Sequence, residues 1–122
     1  MSFGNEIKKD TITNPMKERV LASVQDSADS AQQKVEEKQV RYAAAMKQLN
    51  IFQNKKQYTL SKLNYNNNPK DPKVQAEYKL LDKQEFEYGL EADISRFSLQ
   101  SSLSFSGKMN QSLFMANAML GS

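Results

Sequence analysis

The sequence predicts an all-α protein, a long antiparallel helical hairpin with helices at about 15–63 and 72–120 behind a flexible N-terminal leader at 1–14. The chain of 122 residues has only four glycines and three prolines, too few for many short strands joined by turns. Gln, Lys, Ala, Leu, Met and Glu are abundant between these breakers, and all six favour helices. Apolar residues recur at helical spacing on both sides of one stretch of turn formers, which predicts two helices that fold back on each other.

The leader and the start of the first helix are predicted from residues 1–15. Residues 1–14 mix Gly, Asn, Thr and Ser without an apolar period, which predicts a flexible segment. Charged residues stand where a secretory signal needs an apolar core, so a cleavable signal peptide is not expected. Thr13 or Asn14 as a cap and Pro15 in the first turn predict that the helix begins near residue 15.

Two apolar stripes are interpreted as the faces that the helices turn towards each other. The first stripe consists of Met16, Val20, Val24, Ala28, Ala31, Val35, Tyr42, Met46 and Leu49, extended by Phe52, Leu60 and Leu63. The second consists of Phe86, Leu90, Ile94, Phe97, Ser101, Phe105, Met109, Leu113, Ala116 and Leu120. Residues 15–122 are therefore predicted to form a single helical-hairpin domain.

The hairpin turn is predicted within 64–72, where four asparagines and two prolines come together. Asn68, Pro69, Asp71 and Pro72 are its predicted turn residues, with Asp71 as cap and Pro72 in the first turn of the second helix. If the turn centres near residue 67, Arg41 lies opposite Asp93. Lysines of the first helix then face the acidic region of the second, which favours the antiparallel pairing.

One segment favours a different structure. Residues 97–107 alternate apolar and small polar residues with period two, which is typical of a half-buried strand. We expect a helix because the apolar stripe runs in phase through the segment, with a strand or a break near Gly107 as the alternative. A break there would let the second helix fold back into a compact bundle.

The composition excludes most catalytic chemistry. The chain has no His and no Cys, so the common nucleophile–base pairs and the usual zinc sites are absent, and neither an enzyme nor a cofactor is expected. Paired carboxylates could still act in acid–base or metal chemistry. The candidate residues are Asp82, Glu85, Glu87, Glu91 and Asp93. We interpret this acidic band as a solvated face that pairs with lysines.

A second cluster has the composition of a nucleic-acid surface, because cations and aromatic rings alternate in it. Its members are Phe52, Lys55, Lys56, Tyr58, Lys62 and Tyr65. The same lysines face the acidic band, so nucleic acid is not the expected partner.

The C-terminal stretch predicts contact with other proteins. Lys108 is the only charged residue among the 26 that follow Arg96. Large apolar residues surround this part of the helix, and a single partner helix covers only one stripe of it. The predicted subunit-interface residues are Phe97, Leu99, Leu103, Phe105, Met109, Leu113, Phe114, Met119 and Leu120. The uncharged stretches fall short of the ~20 apolar residues of a transmembrane helix, so no membrane span is expected.

The turn resembles a known family. The run Asn68–Pro72, followed by Tyr78, Leu81 and Tyr88, is similar to the loop and second helix of type III secretion needle proteins. The inner-rod proteins of the same apparatus look similar in their C-terminal half. The resemblance implies a small helical hairpin, exported without a signal peptide, that polymerises around a secretion channel.

The sequence therefore predicts a structural subunit of an oligomeric or filamentous assembly that contacts itself and other subunits. A protein-export needle or rod, reached by a non-classical route, is the preferred interpretation. Two alternatives remain open: a helical chaperone or adaptor with one protein partner, which would be cytoplasmic, and an internal structural protein of a phage or virion.

Overall fold

A computed structural model describes residues 14–121 of the chain. Helix α1 spans Asn14–Lys62 and helix α2 spans Pro72–Leu120, with 49 residues each. The two helices pack against each other, and the predicted all-α hairpin is confirmed. The predicted leader lies outside the described residues, apart from Asn14, the first residue of α1. No helix within residues 14–121 is both long and apolar enough to cross a membrane.

Contacts divide the chain into two compact units. Unit 1 consists of the described residues of Met1–Glu36 and of Ser101–Ser122, and unit 2 is Glu37–Gln100. Each unit contains a part of both helices. The single domain proposed for residues 15–122 stays a prediction.

The seam, meaning the side of each helix that faces the other, follows a heptad pattern. A series of covered positions alternates spacings of three and four residues along α1: Leu21, Val24, Ala28, Ala31, Val35, Lys38, Tyr42, Ala45, Leu49, Phe52, Lys56 and Thr59. The matching series on α2 is Val74, Tyr78, Leu81, Glu85, Tyr88, Ala92, Ser95, Leu99, Ser102, Ser106, Met109, Leu113, Ala116 and Leu120, in which Tyr88 is the most open. A mean spacing of 3.5 residues is the repeat of a coiled coil.

Small side chains occupy the middle of the α2 seam. Ala92, Ser95 and Ser106 are at most 4% exposed. The Ser106 hydroxyl also donates a 3.5 Å hydrogen bond to Gln32 Oε1 in unit 1. Side chains this small let two helices approach closely.

The predicted apolar stripe of α2 is wrong from Phe86 to Phe105, whereas its last four members, Met109, Leu113, Ala116 and Leu120, lie on the seam. Phe86, Leu90, Ile94, Phe97 and Phe105 are all exposed and lie off the seam. Between residues 92 and 106 the helix turns mainly Ala92, Ser95 and Ser106 towards α1, so the larger apolar side chains Ile94, Phe97 and Phe105 point elsewhere.

The stripe predicted on α1 is largely confirmed. Ala28, Ala31, Val35 and Phe52 are buried, although Met16 and Val20 near the start of the helix and Leu63 just beyond its end are exposed.

The period-two segment is helical. Helix α2 runs unbroken from Pro72 to Leu120, through Gly107. The strand and the fold-back near Gly107 are therefore excluded, and the helical prediction for 97–107 is confirmed.

The end of α1 is set by Asn64, whose φ of 55° lies in the left-handed region. The Tyr65 N–H donates to the Leu60 carbonyl at 3.1 Å, and the Asn64 N–H to the Ser61 carbonyl at 3.0 Å. This pair of bonds is the Schellman motif, which satisfies carbonyls that the helix end leaves free. Asn tolerates the left-handed conformation better than most residues, so it fits here.

Asp71 begins α2. Its Oδ1 accepts hydrogen bonds from the N–H groups of Lys73 at 2.8 Å and Val74 at 3.4 Å. Asp71 is therefore the N-cap, and Pro72 stands at the first helical position, where no N–H is needed.

Candidate interaction surfaces

The nine predicted interface residues lie on two different sides of α2. Four of them are half-buried members of the seam: Leu99, Met109, Leu113 and Leu120. The other five lie off the seam and are 47% to 75% exposed: Phe97, Leu103, Phe105, Phe114 and Met119. We therefore hypothesise contact with another chain for the five off-seam residues. The four seam residues are already largely covered by α1.

The exposed group continues to the end of α2 in unit 1. Phe114 and Met119 are each 75% exposed, and Met115 between them is 52% exposed. Lys108 is the only charge nearby along the helix. Large apolar side chains that are exposed together near one end of a helix are typical of a surface that contacts another protein.

An open groove lies next to this surface in unit 1. Phe105 and Met109 form its apolar side, and its α1 side is lined by small residues: Ala22, Ser23, Ser27, Ser30 and Ala31. Its charged lining residues are Arg19, Asp26 and Lys34. The groove is open and is not an enclosed cavity, so it has the character of a helix-packing surface.

Unit 2 also exposes apolar residues on α1, which sequence reasoning missed. Val40 is 70% exposed and Ile51 is 52% exposed. The sequence did contain a signal for this face, because Val40, Ala44, Lys47 and Ile51 follow one another at helical spacing and therefore share one side of α1. Both α1 and α2 therefore carry an apolar face directed away from the seam in this unit.

Three cations, Lys56, Arg41 and Arg96, form ion pairs with carboxylates of the acidic band. Lys56 Nζ lies 3.2 Å from Asp82 Oδ1 and 3.1 Å from Glu85 Oε1, and its side chain is only 12% exposed. Burial opposes the charged form of Lys56, but the hydrogen bonds to Glu85 and Asp82 raise its pKa above the ordinary value.

Arg41 holds Glu91. Arg41 Nη2 donates to Glu91 Oε1 at 3.0 Å, and Ser95 Oγ donates to the same oxygen at 3.2 Å. The hydrogen bond and the charge of Arg41 lower the pKa of Glu91. The pairing of Arg41 with Asp93 expected from the turn position is wrong, because Asp93 lies on the other flank of α2 and approaches Arg96 at 3.5 Å.

The band has no geometry suited to metal chemistry within the described residues, where no group of three or more candidate ligands converges. Four of its five carboxylates, all except Glu87, lie within 3.5 Å of a lysine or arginine nitrogen.

The cluster of cations and aromatic rings is used mainly inside the hairpin. Tyr65 stacks on Tyr78 with ring centroids 4.9 Å apart, and Lys56 lies 5.2 Å from the Tyr78 ring. Lys62 sits over the exposed Tyr58 at 5.1 Å. These contacts occupy several of the groups that would have to face a nucleic-acid strand.

The residues that carry the family resemblance belong to the turn and the seam. Asn68, Pro69 and Asp71 lie between the helices. Of the three that follow on α2, Tyr78 stacks on Tyr65, Leu81 is 3% exposed, and Tyr88 stacks on Phe52 at 5.0 Å. All of them support the hairpin itself.

Comparison of the chain with protein-family models, with curated proteins and with solved structures found no match.

Proposed function

We propose that this chain is a structural subunit of an oligomeric or filamentous assembly, and that other chains cover the exposed apolar side chains of α2 that lie off the seam. The observation that carries the proposal is the exposure of Phe97, Leu103, Phe105, Phe114 and Met119 in a stretch with a single charge. A hairpin with so many uncovered apolar side chains gains free energy when another chain removes them from water.

The size of this gain supports a specific contact. Burying a large apolar side chain contributes about 1.5–3 kcal/mol, and these five are half to three-quarters exposed. Their sum is comparable to the cost of losing translational and rotational freedom on association. Since the hairpin is already folded, little further ordering of the helix is needed.

A protein-export apparatus is the most concrete setting for such a subunit. This part of the proposal rests on the resemblance of Asn68–Pro72 and the following tyrosines to type III secretion needle and inner-rod proteins. It includes export by a non-classical route, with the C-terminal helix inside the assembly. The long hairpin with a capped proline turn is compatible with it.

The test replaces Phe105 or Phe114 with aspartate. A carboxylate placed in a buried apolar contact costs several kcal/mol unless it is paired. We expect assemblies of the wild-type chain to be lost in Phe114→Asp and strongly reduced in Phe105→Asp, measured by sedimentation velocity and electron microscopy.

Ala76→Asp is the matched control, because Ala76 is exposed on the same helix but lies outside the C-terminal stretch. Circular dichroism must show the same helix content in all three variants. Undiminished assembly of both phenylalanine variants would rule out the off-seam apolar side chains of α2 as the contact. A closed one-to-one complex with a different protein, without self-assembly, would identify an adaptor instead.

A further inference from the structure

Two exposed faces in unit 2 have the same residue spacing, and where one face has a charged residue the other has a residue of opposite charge at the matching position. The α1 face consists of Glu37, Val40, Ala44, Lys47 and Ile51. The α2 face consists of Lys83, Phe86, Leu90, Asp93 and Phe97. Successive residues in both are separated by three, four, three and four positions, so each set forms one stripe along its helix.

All ten side chains are open to solvent in the single chain. Val40 is 70% exposed and Phe86 is 69% exposed. Glu37, Lys47 and Lys83 make no ion pair within residues 14–121, and Asp93 has only the exposed 3.5 Å contact with Arg96. Neither face belongs to the seam, so the hairpin itself leaves both unused.

We infer that the α1 face of one copy docks in parallel on the α2 face of a second copy. Every residue then meets the one 46 positions later in the sequence. Three levels pair apolar residues: Val40 with Phe86, Ala44 with Leu90, and Ile51 with Phe97. Two levels pair opposite charges: Glu37 with Lys83, and Lys47 with Asp93.

The other in-register arrangements of these faces are unfavourable. If one face is reversed, Lys47 meets Phe86 and Asp93 meets Val40, so each charge is buried against an apolar side chain. Pairing either face in parallel with its own copy brings like charges together, as in Lys83 with Lys83. Antiparallel pairing of a face with its own copy again sets charges against apolar residues. The charge pattern thus selects both the partner face and its direction.

The contact is necessarily intermolecular. Within one chain the two helices run antiparallel, and both faces point away from the seam. The contact is also heterologous, because it uses a different face on each copy. Every added copy leaves one α1 face and one α2 face free, so copies add head to tail, into a ring if the rotation between them closes and into an open filament if it does not. The inference rests on the proposed function and specifies the contact by which the assembly extends.

Cysteine cross-linking tests the register directly, since the chain contains no natural cysteine. Equimolar Val40→Cys and Phe86→Cys variants are mixed, allowed to assemble and oxidised. We expect a mixed disulfide dimer, and a ladder of higher species from the chain that carries both cysteines, because facing positions come within disulfide range.

Val40→Cys mixed with Asp93→Cys is the matched control. These positions meet only if the two faces run antiparallel, so little cross-linking is expected. A yield for 40 with 93 equal to or above that for 40 with 86 overturns the inference.

Charge reversal supplies a second readout that does not alter the apolar residues. Lys47→Glu alone and Asp93→Lys alone should each weaken assembly roughly tenfold or more, because like charges then meet at one level. Both the equimolar mixture of the two variants and the doubly substituted chain should regain assembly. Failure of both to do so overturns the inference.

The two proposals fail in different ways. If the wild-type chain assembles and Phe114→Asp prevents assembly, but 40 and 86 do not cross-link, only the docking register is wrong. If the wild-type chain stays monomeric at every concentration, the proposed function fails, and this contact fails with it.

Discussion

At the level of single residues, the charges near the seam explain how α1 and α2 are aligned in unit 2. Lys56 occupies a seam position that an apolar residue would usually take, and it binds Asp82 and Glu85 at 3.2 and 3.1 Å. A lysine at a core position of a coiled coil favours one register at some cost in stability. The basic first helix and acidic second helix were evident from the sequence, but the partners of each cation depend on which flank of the helix they occupy.

Lys56→Ala should lower the free energy of unfolding by about 1–2 kcal/mol, since two charge-assisted hydrogen bonds and the packing of the lysine stem are lost. The measurement is urea denaturation followed by circular dichroism. Lys55→Ala is the matched control, because the neighbouring lysine is exposed and makes no ion pair among the described residues. Equal stability of the two variants would show that Lys56 does not fix the register.

The pair of Arg41 and Glu91 should make stability depend on pH. The pKa of Glu91 is lowered from its ordinary value of 4.5, so the folded state binds this proton less tightly than the unfolded state. The stabilisation is therefore present above pH 4.5 and is lost as the pH falls through the lower pKa of the folded state. We expect Glu91→Gln to be less stable than wild type at pH 7 and to converge with it on acidification. A difference that stays constant from pH 7 to pH 3 would contradict this role.

At the level of elements, the helix bounds and most of the α1 side of the seam could be predicted, but the α2 side between Phe86 and Phe105 could not. Asn64, Pro69, Asp71 and Pro72 determine where the helices end and begin, because each has strong local conformational preferences. The seam depends on tertiary packing. Large apolar residues suggested that Phe86 and Leu90 face α1, whereas Ala92 and Ser95 do so. Hydrophobicity alone therefore selected the wrong face.

Asp71→Ala should destabilise the hairpin by about 1 kcal/mol, because the N–H groups of Lys73 and Val74 lose their acceptor. The loss should be visible as a lower midpoint of thermal unfolding. Asn66→Ala, also in the turn and exposed, is the control and should leave the midpoint nearly unchanged. An unchanged midpoint for Asp71→Ala would mean that Pro72 alone is sufficient to begin α2.

At the level of the whole molecule, the two helices cover each other's seam side chains, and apolar side chains of α2 that lie off the seam stay exposed. The sequence indicated the C-terminal part of this surface through its missing charges, and the structure adds exposed faces in unit 2 that overlap it only at Phe97. Which interface residues remain free could not be predicted, because that depends on where the seam runs. Leu99, Met109, Leu113 and Leu120 illustrate this, since α1 half-covers all four.

The most direct test is the mass of the purified chain in solution as a function of concentration, measured by sedimentation equilibrium. If copies of the chain cover the off-seam apolar side chains of α2, the average mass should rise with concentration beyond that of a dimer, as expected for head-to-tail association. The single chain has a mass of 13.9 kDa. A mass that stays at this value over a wide concentration range would contradict the account.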